Sequence, residues 1–236
     1  MSIKLLLLTL YTFQSPTYSD SLRQNSCKDS LSCDAAIVYS LTNLRNPTLV
    51  NTSQFISNSL VPISIALPSA HLIYGYASSD RKAVLNGFLI GTSELLQFSV
   101  MTGIKSIVQR ERPFIAHKDC IIPNDTESFW SFPSGHSGGS ACLATILSLR
   151  YNHWAVTTTA ITYSLYTMFA RMHLGVHYPT DVAAGALVGV GSGILIHSLT
   201  QHIERILTKV LPNNDDTSTV GVSPSSTPLI TIQLPL

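Results

Sequence analysis

The chain has 236 residues, and only 11% of them are Asp, Glu, Lys or Arg, whereas soluble domains average about 25%. Its formal net charge is +1, so the composition excludes a strongly basic nucleic-acid-binding protein. The mean hydropathy is +0.26, and long apolar runs recur along the chain. Together these features indicate an integral membrane protein that needs no nucleic-acid partner.

The first residues resemble an export signal. Lys4 precedes an apolar run over residues 5–10, which is too short for a span of about 20 residues. Small residues near position 19 offer a cleavage site. We therefore predict a signal peptide over residues 1–19, with an uncleaved anchor as the alternative, and an exported start for the chain that follows.

Residues 20–54 are predicted to form an exported segment. Ile37, Val38, Leu41 and Leu44 recur at helical spacing. This spacing predicts an amphipathic helix near residues 34–44, lying at the membrane surface.

Five apolar segments follow, each close to the length of a spanning helix. They cover residues 55–77, 83–104, 134–149, 155–170 and 179–199. The pattern predicts an all-α, polytopic transmembrane bundle with a membrane domain over residues 55–210. The tail, residues 211–236, is rich in Ser, Thr, Pro and Asn and is predicted to be disordered.

Small and polar residues inside these segments indicate helix packing. Glu94 and Gln97 are one turn apart and should face the bundle, because ionisable groups are costly in lipid. Gly185, Gly189 and Gly193 should allow close packing within the chain rather than form a dimer face. Oligomeric state is left open by the sequence.

Alternation from an exported start places the connections over residues 105–133 and 171–178 outside the cell. We therefore expect a multi-pass protein of a bacterial inner membrane whose functional face is periplasmic or exterior.

Cys27, Cys33 and Cys120 would share that side, where a disulfide can form. The sequence does not choose the pair, and free thiols remain the alternative.

The first chemically informative group is Lys105 followed by Arg112 and Pro113. Two cations near one membrane face suit a phosphate, because arginine offers a planar fork and lysine a point charge. Pro113 is expected to end the preceding helix. Taken alone, this group also fits a basic helix end among lipid headgroups.

The second group, residues 132–137, opens the third apolar segment. Ser134 is expected to cap the helix, and Gly135 lets the backbone approach a ligand. Free N–H groups at a helix N-terminus bind anions, so His136 in the first turn would contact that anion. A capping loop with a packed histidine is the alternative.

The third group contains Arg171, His177 and Asp181. The last two residues are four apart, so they are expected on one helix face, where the carboxylate would fix the imidazole tautomer. Pro179 suits the first turn of that helix. His173 is predicted to be a bystander without a partner. A surface salt bridge at a helix end is the alternative.

The three groups together resemble the three-part signature of the type 2 phosphatidic acid phosphatase superfamily. This resemblance implies that His177 attacks phosphorus and forms a phosphohistidine, that Asp181 orients it, and that His136 protonates the leaving oxygen. It further implies that the phosphoryl oxygens are held without metal or cofactor by five residues: Lys105, Arg112, Ser134, Gly135 and Arg171.

The resemblance implies a phosphorylated lipid as the substrate. The candidates are phosphatidylglycerophosphate, phosphatidic acid, undecaprenyl pyrophosphate and lipid A. Specificity is expected between the first two groups, at Lys118, Asp125, Glu127, Phe129 and Trp130. A lipid phosphotransferase, and a non-catalytic lipid-binding or transport component, are the alternatives.

Two features depart from the family pattern. Ala170 stands where members usually have serine, which removes one hydroxyl contact to phosphate. Membrane members usually have one span more, and the amphipathic segment near residues 34–44 is expected to take that place.

Overall fold

The structure is a computed structural model that describes residues 27, 31–127 and 130–210. The predicted signal peptide over residues 1–19 and the predicted disordered tail over residues 211–236 lie outside the described residues. Within the described ranges, Glu111 and Trp130 form one antiparallel bridge, and the rest of the regular secondary structure is eight helices. They are α1 Cys33–Thr42, α2 Pro47–Ser78, α3 Arg81–Val108, α4 Pro113–Ala116, α5 Gly135–Tyr151, α6 Trp154–His173, α7 Pro179–Ser198 and α8 Thr200–Val210.

Local capping residues explain where the long helices begin and turn. The Asn46 side chain accepts a hydrogen bond from the amide of Thr48 at 2.9 Å and so caps α2. Asp80 caps α3 in the same way, through the amide of Lys82. Between these helices Ser79 adopts a left-handed conformation with φ of 58°, which reverses the chain in a short connection.

All five apolar segments form helices, which confirms the predicted all-α membrane bundle. Three helices in the described part of the chain are long and apolar enough to cross a membrane: Pro47–Ser78, Arg81–Val108 and Pro179–Ser198. Gly135–Tyr151 has 17 residues and is shorter. The 32 residues of α2 extend about 48 Å, which exceeds the hydrocarbon thickness of about 30 Å.

Helix α5 lies at the centre of the bundle, against α3, α6 and α7. The face of α7 towards it is made of glycines, as predicted. An added Cβ at Gly189 would lie 2.9 Å from the carbonyl carbon of Gly138, and one at Gly193 would lie 2.9 Å from Cβ of Thr145. The glycines therefore let two helix backbones touch.

Glu94 and Gln97 of α3 face the bundle interior, as predicted. Gln97 is 3% exposed, and its amide nitrogen lies 3.4 Å from the carbonyl oxygen of Gly135. Glu94 accepts a hydrogen bond from Ser64 at 3.3 Å. These contacts join α2 and α3 to the first turn of α5.

Helix α1 is present, but its buried side differs from the predicted apolar face. Ala35 and Val38 are fully buried against Ile121 and other residues, whereas Ile37 and Leu44 are 43% and 49% exposed. The helix packs on the protein through small side chains, which hydrophobic spacing alone does not reveal.

A disulfide ties the segment before α1 to the connection after α4. It joins Cys27 to Cys120, two residues 93 positions apart in the sequence. Cys33 and Cys142 are free thiols. The structure therefore selects one of the pairs that the sequence left open.

Candidate active site

Four helix ends meet at one end of the bundle and bring the predicted residues together. Lys105 lies near the end of α3, and Ser134 caps the start of α5. Arg171 lies near the end of α6, and Asp181 in the first turn of α7. The amide of Ser134 donates a hydrogen bond to the carbonyl of Asp181 at 3.0 Å, which fixes the starts of α5 and α7 side by side.

His177 is buried among positive charges. Its Nε2 lies 3.1 Å from a guanidinium nitrogen of Arg112, which is itself 2% exposed and also donates to the carbonyl of Val176. Because a guanidinium can only donate, Nε2 is the acceptor nitrogen and the ring proton resides on Nδ1. The unprotonated nitrogen therefore faces the cationic side of the site.

The same environment keeps this imidazole neutral. Burial lowers the pKa of His177 well below its ordinary value of 6.5, and the charges of Arg171, Arg112 and Lys105 lower it further. At neutral pH Nε2 is therefore unprotonated, which a nucleophile requires.

Asp181 lies behind His177, with Nδ1 and Oδ2 3.5 Å apart. This separation is longer than a hydrogen bond, and Nδ1 makes none to the described residues. The two residues do not share a helix as predicted, because α7 begins at Pro179 and His177 precedes it. Oδ2 instead accepts from the Tyr178 amide at 2.8 Å and from the Ser131 hydroxyl.

Two arginines form a cradle that currently holds a carboxylate. Glu127 contacts Arg171 at 2.5 Å and Arg112 at 3.5 Å. Burial would raise the pKa of Glu127, but both arginines outweigh it and lower the pKa below its ordinary value. Arg171 is fully buried and also donates to the Ser57 hydroxyl of α2. An anion is therefore bound where the sequence predicted phosphate.

The start of α5 borders this cradle. The Ser134 hydroxyl accepts from the hydroxyl of Ser137 at 2.9 Å and from its amide at 3.4 Å, so the predicted cap is present. The amides of Gly135 and His136 have no partner within the helix, as at every helix start. His136 is half-buried, and burial together with the charges of Arg171 and Arg112 lowers its pKa from 6.5 to about 4, although Glu127 opposes the shift.

The turn after α3 differs from the predicted one. Pro113 does not end α3, because Gln109 already does so in a left-handed conformation with φ of 48°. Pro113 instead opens the short helix α4, where its fixed φ is compatible with a first helical residue. Lys105 donates to the carbonyl of Trp130 at 2.9 Å.

The residues predicted to set specificity fall partly within this geometry. Asp125 lies 3.8 Å from Arg171, and Glu127 occupies the cradle. Trp130 supplies a carbonyl to Lys105. Phe129 lies outside the described residues.

Sequence reasoning missed Arg110, which contacts Oδ1 of Asp181, whereas His177 faces Oδ2. Its guanidinium donates to Oδ1 of Asp181 and to Oδ2 of Asp34, each at 2.7 Å. The hydrogen bond from Arg110 to Asp34 and the charges of Asp181 and Asp34 outweigh burial and raise the pKa of Arg110. Arg110 lies two residues before Arg112, but residue spacing alone did not indicate that it has a role in the site.

The prediction that His173 lacks a partner is wrong. Its Nε2 lies 3.0 Å from the carbonyl of Leu44, and its Nδ1 lies 3.0 Å from the hydroxyl of Ser53. The carbonyl requires a proton on Nε2, so Nδ1 accepts from Ser53. This fully buried ring joins α6 to α2 and to the end of α1, a structural role that only tertiary contacts reveal.

Comparisons with known proteins agree with this arrangement. The family model described as PAP2 superfamily matches residues 86–205, just over half of the chain. Decaprenylphosphoryl-5-phosphoribose phosphatase of Mycolicibacterium smegmatis is 36% identical over 41% of this chain and 50% of its own length. Undecaprenyl-diphosphatase BcrC of Bacillus subtilis is 29% identical over 64% of this chain and 74% of its own.

A solved structure shares the fold. It is the crystal structure of the first transmembrane PAP2 type phosphatidylglycerolphosphate phosphatase from Bacillus subtilis, with a TM-score of 0.57 and 24% identity over 78% of this chain and 91% of that chain. The chain spans about half the length of the first curated relative. On the family match and the converging helix ends, this chain belongs to the PAP2 superfamily.

Proposed function

We propose that this chain is a membrane phosphatase that hydrolyses a phosphorylated lipid through a phosphohistidine formed on His177. The observation that carries the proposal is the buried, neutral imidazole whose unprotonated Nε2 accepts a hydrogen bond from Arg112 at 3.1 Å. A nucleophile beside a paired arginine cradle is suited to phosphoryl transfer, where positioning and charge stabilisation provide most of the catalysis.

In the first half-reaction, the phosphate displaces Glu127 from Arg112 and Arg171, and it takes over the hydrogen bond that Arg112 gives to Nε2 of His177. The lone pair on Nε2 of His177 then forms a bond to phosphorus, and the bond from phosphorus to the lipid oxygen breaks. The negative charge of the bound phosphate favours the protonated form of His136. His136 then gives its proton to that oxygen, so the lipid leaves as a neutral hydroxyl or a phosphate. Asp181 stabilises the positive charge that develops on the imidazole.

In the second half-reaction, His136 accepts a proton from a water molecule that attacks phosphorus. The P–N bond breaks, its electron pair returns to Nε2 of His177, and inorganic phosphate is released. Lys105, with the amides of Gly135 and His136, neutralises charge on the phosphoryl oxygens in both steps. His136 acts first as the acid and then as the base, so the site returns to its starting protonation state.

A polyprenyl-linked phosphate is the substrate class that we place first. Both curated relatives reported above act, by name, on polyprenyl-linked phosphates. Phosphatidylglycerophosphate, phosphatidic acid and lipid A follow as candidates. The catalytic face is proposed to be periplasmic or exterior, which suits the Cys27–Cys120 disulfide.

The proposal is tested by phosphate release from the detergent-purified protein in excess chelator, across these lipids. Wild type should release phosphate, His177→Ala should not, and His202→Ala should behave as wild type because this histidine is exposed on α8. Labelled substrate should leave an acid-labile, alkali-stable phosphoryl group on wild-type protein. Folded wild type that releases no phosphate from any lipid would refute the proposal.

Product analysis separates the two remaining functions. Transfer of label to an acceptor lipid without phosphate release would identify a phosphotransferase. Lipid binding that is equal in wild type and His177→Ala, with no turnover, would identify a non-catalytic component.

A further inference from the structure

The side chain of Arg110 contacts four residues next to the candidate site. It follows α3, after the left-handed turn at Gln109, and its guanidinium carbon lies 3.8 Å from the centre of the Tyr178 ring. One terminal nitrogen contacts both Asp181 and Thr180 at 2.7 Å, and the other contacts Asp34 at 2.7 Å. A planar fork between two carboxylates has little freedom to move.

The two oxygens of Asp181 have separate partners. Oδ2 faces Nδ1 of His177 and accepts from Ser131 and from the amide of Tyr178. Oδ1 accepts from Arg110, which is the cationic contact of this fully buried carboxylate. Arg110 therefore fixes the rotation of the carboxylate and, with it, the direction in which Oδ2 faces the imidazole.

Asp34 fixes Arg110 in turn. It lies in the first turn of α1 and also accepts from the amide and hydroxyl of Thr180, at 3.2 and 2.5 Å. Helix α1 is buried against Tyr178, and the Cys27–Cys120 disulfide tethers the chain just before it. This helix lies outside residues 86–205, the part of the chain that the family model matches.

We propose that Arg110 and Asp34 are positioning residues for the phosphoryl transfer, with Arg110 setting the carboxylate of Asp181 behind His177 and Asp34 setting Arg110. This inference rests on the proposed function. We expect neither residue to touch the phosphate, because the side-chain contacts of Arg110 are with Asp181, Asp34, Thr180 and Tyr178. Their loss should therefore lower kcat and leave ground-state binding of the phosphate unchanged.

The test compares steady-state kinetics of Arg110→Gln with those of wild type. We expect kcat to fall roughly 10- to 100-fold, the range for groups that orient a reactive side chain, with unchanged KM and unchanged inhibition by orthovanadate. Asp34→Asn should cause a smaller fall of the same kind. Arg45→Gln is the matched control, because it removes an exposed arginine just after α1 and should leave kcat unchanged.

A double variant distinguishes positioning from a general structural role. In an Asp181→Asn background, Arg110→Gln should cause little further loss, because Asp181 is the group through which it acts. An equal loss in both backgrounds would overturn the inference. So would orthovanadate inhibition that weakens as it does in Arg112→Gln, since Arg110 would then bind phosphate itself.

Other outcomes are equally decisive. Arg110→Lys keeps the charge but cannot fork between two carboxylates, so it should fold and still lose kcat. If Arg110→Gln fails to fold, Arg110→Lys and Asp34→Asn provide the test, and wild-type kcat in both would overturn the inference. Inactive wild type would count against the proposed function, whereas active wild type with fully active Arg110→Gln would count against this inference alone.

Discussion

Replacing Gly185 with alanine tests how closely α7 must approach the start of α5. An added Cβ would lie 3.2 Å from the carbonyl carbon of Ser134 and 3.3 Å from its nitrogen, and closer still to its oxygen. These are backbone atoms, which cannot rotate away as a flexible side chain can. The two helices must therefore separate at the residue that caps α5.

The size of the effect follows from this geometry. Restoring a contact of about 3.5 Å requires Ser134 to move on the order of 1 Å. Overpacking of this kind costs about 1–3 kcal/mol of unfolding free energy. A displacement of about 1 Å at reacting groups can cost about 100-fold in rate. We therefore expect kcat/KM to fall roughly 10- to 100-fold in Gly185→Ala.

The assay is phosphate release together with thermal unfolding in detergent. Gly191→Ala is the matched control, because its added Cβ meets nothing within 4 Å on the same helix. It should retain activity and gain about 0.5–1 kcal/mol of stability, since alanine loses less backbone entropy in a helix. Equal activities and equal melting temperatures in the two variants would refute the reasoning about helix contact.

Three further predictions concern charge, protonation and the covalent link. Glu127→Gln should tighten orthovanadate inhibition roughly tenfold, because a neutral amide competes less for the arginines, and unchanged inhibition would contradict this. In the proposed mechanism His177 is a neutral nucleophile, and its pKa is lowered, so the acid limb of kcat/KM should have its midpoint below pH 6.5; a midpoint at or above 6.5 would be inconsistent. Cys27→Ser should lower the unfolding free energy by roughly 4 kcal/mol in non-reducing buffer, because it removes the disulfide. Cys33→Ser, which changes a free thiol, should not, and equal melting temperatures of the two variants would argue against the Cys27–Cys120 bond.

The sequence was sufficient for those parts of the site whose residues are close in the chain. Helix periodicity and length predicted the five apolar helices, and the glycines of α7 predicted close packing. Ser134 and Asp181 could be placed at helix starts because capping preferences are local. Residue spacing correctly brought Asp181 close to His177, but it wrongly placed both residues on one helix.

The residues that the sequence did not reveal are those whose partners are distant in the chain. Arg110 and Asp34 are 76 positions apart, and Arg171 and Ser57 are 114 apart. Such pairs carry no periodic pattern, so only the packed bundle brings them together. Glu127 was expected to influence specificity, but its position between two arginines depends on how the connection before α5 folds back.

The Cys27–Cys120 disulfide has a consequence for how the protein is made. Its two cysteines are separated by α2 and α3, two helices long enough to cross a membrane, so an even number of crossings returns the chain to the same side. The bond can close only after both helices are inserted and the following connection is translocated. A gel-shift assay for blocked thiols in intact cells would therefore time the completion of the membrane hairpin. Because thiols are oxidised in exported compartments, it would also report on which side of the membrane the site faces, without any substrate.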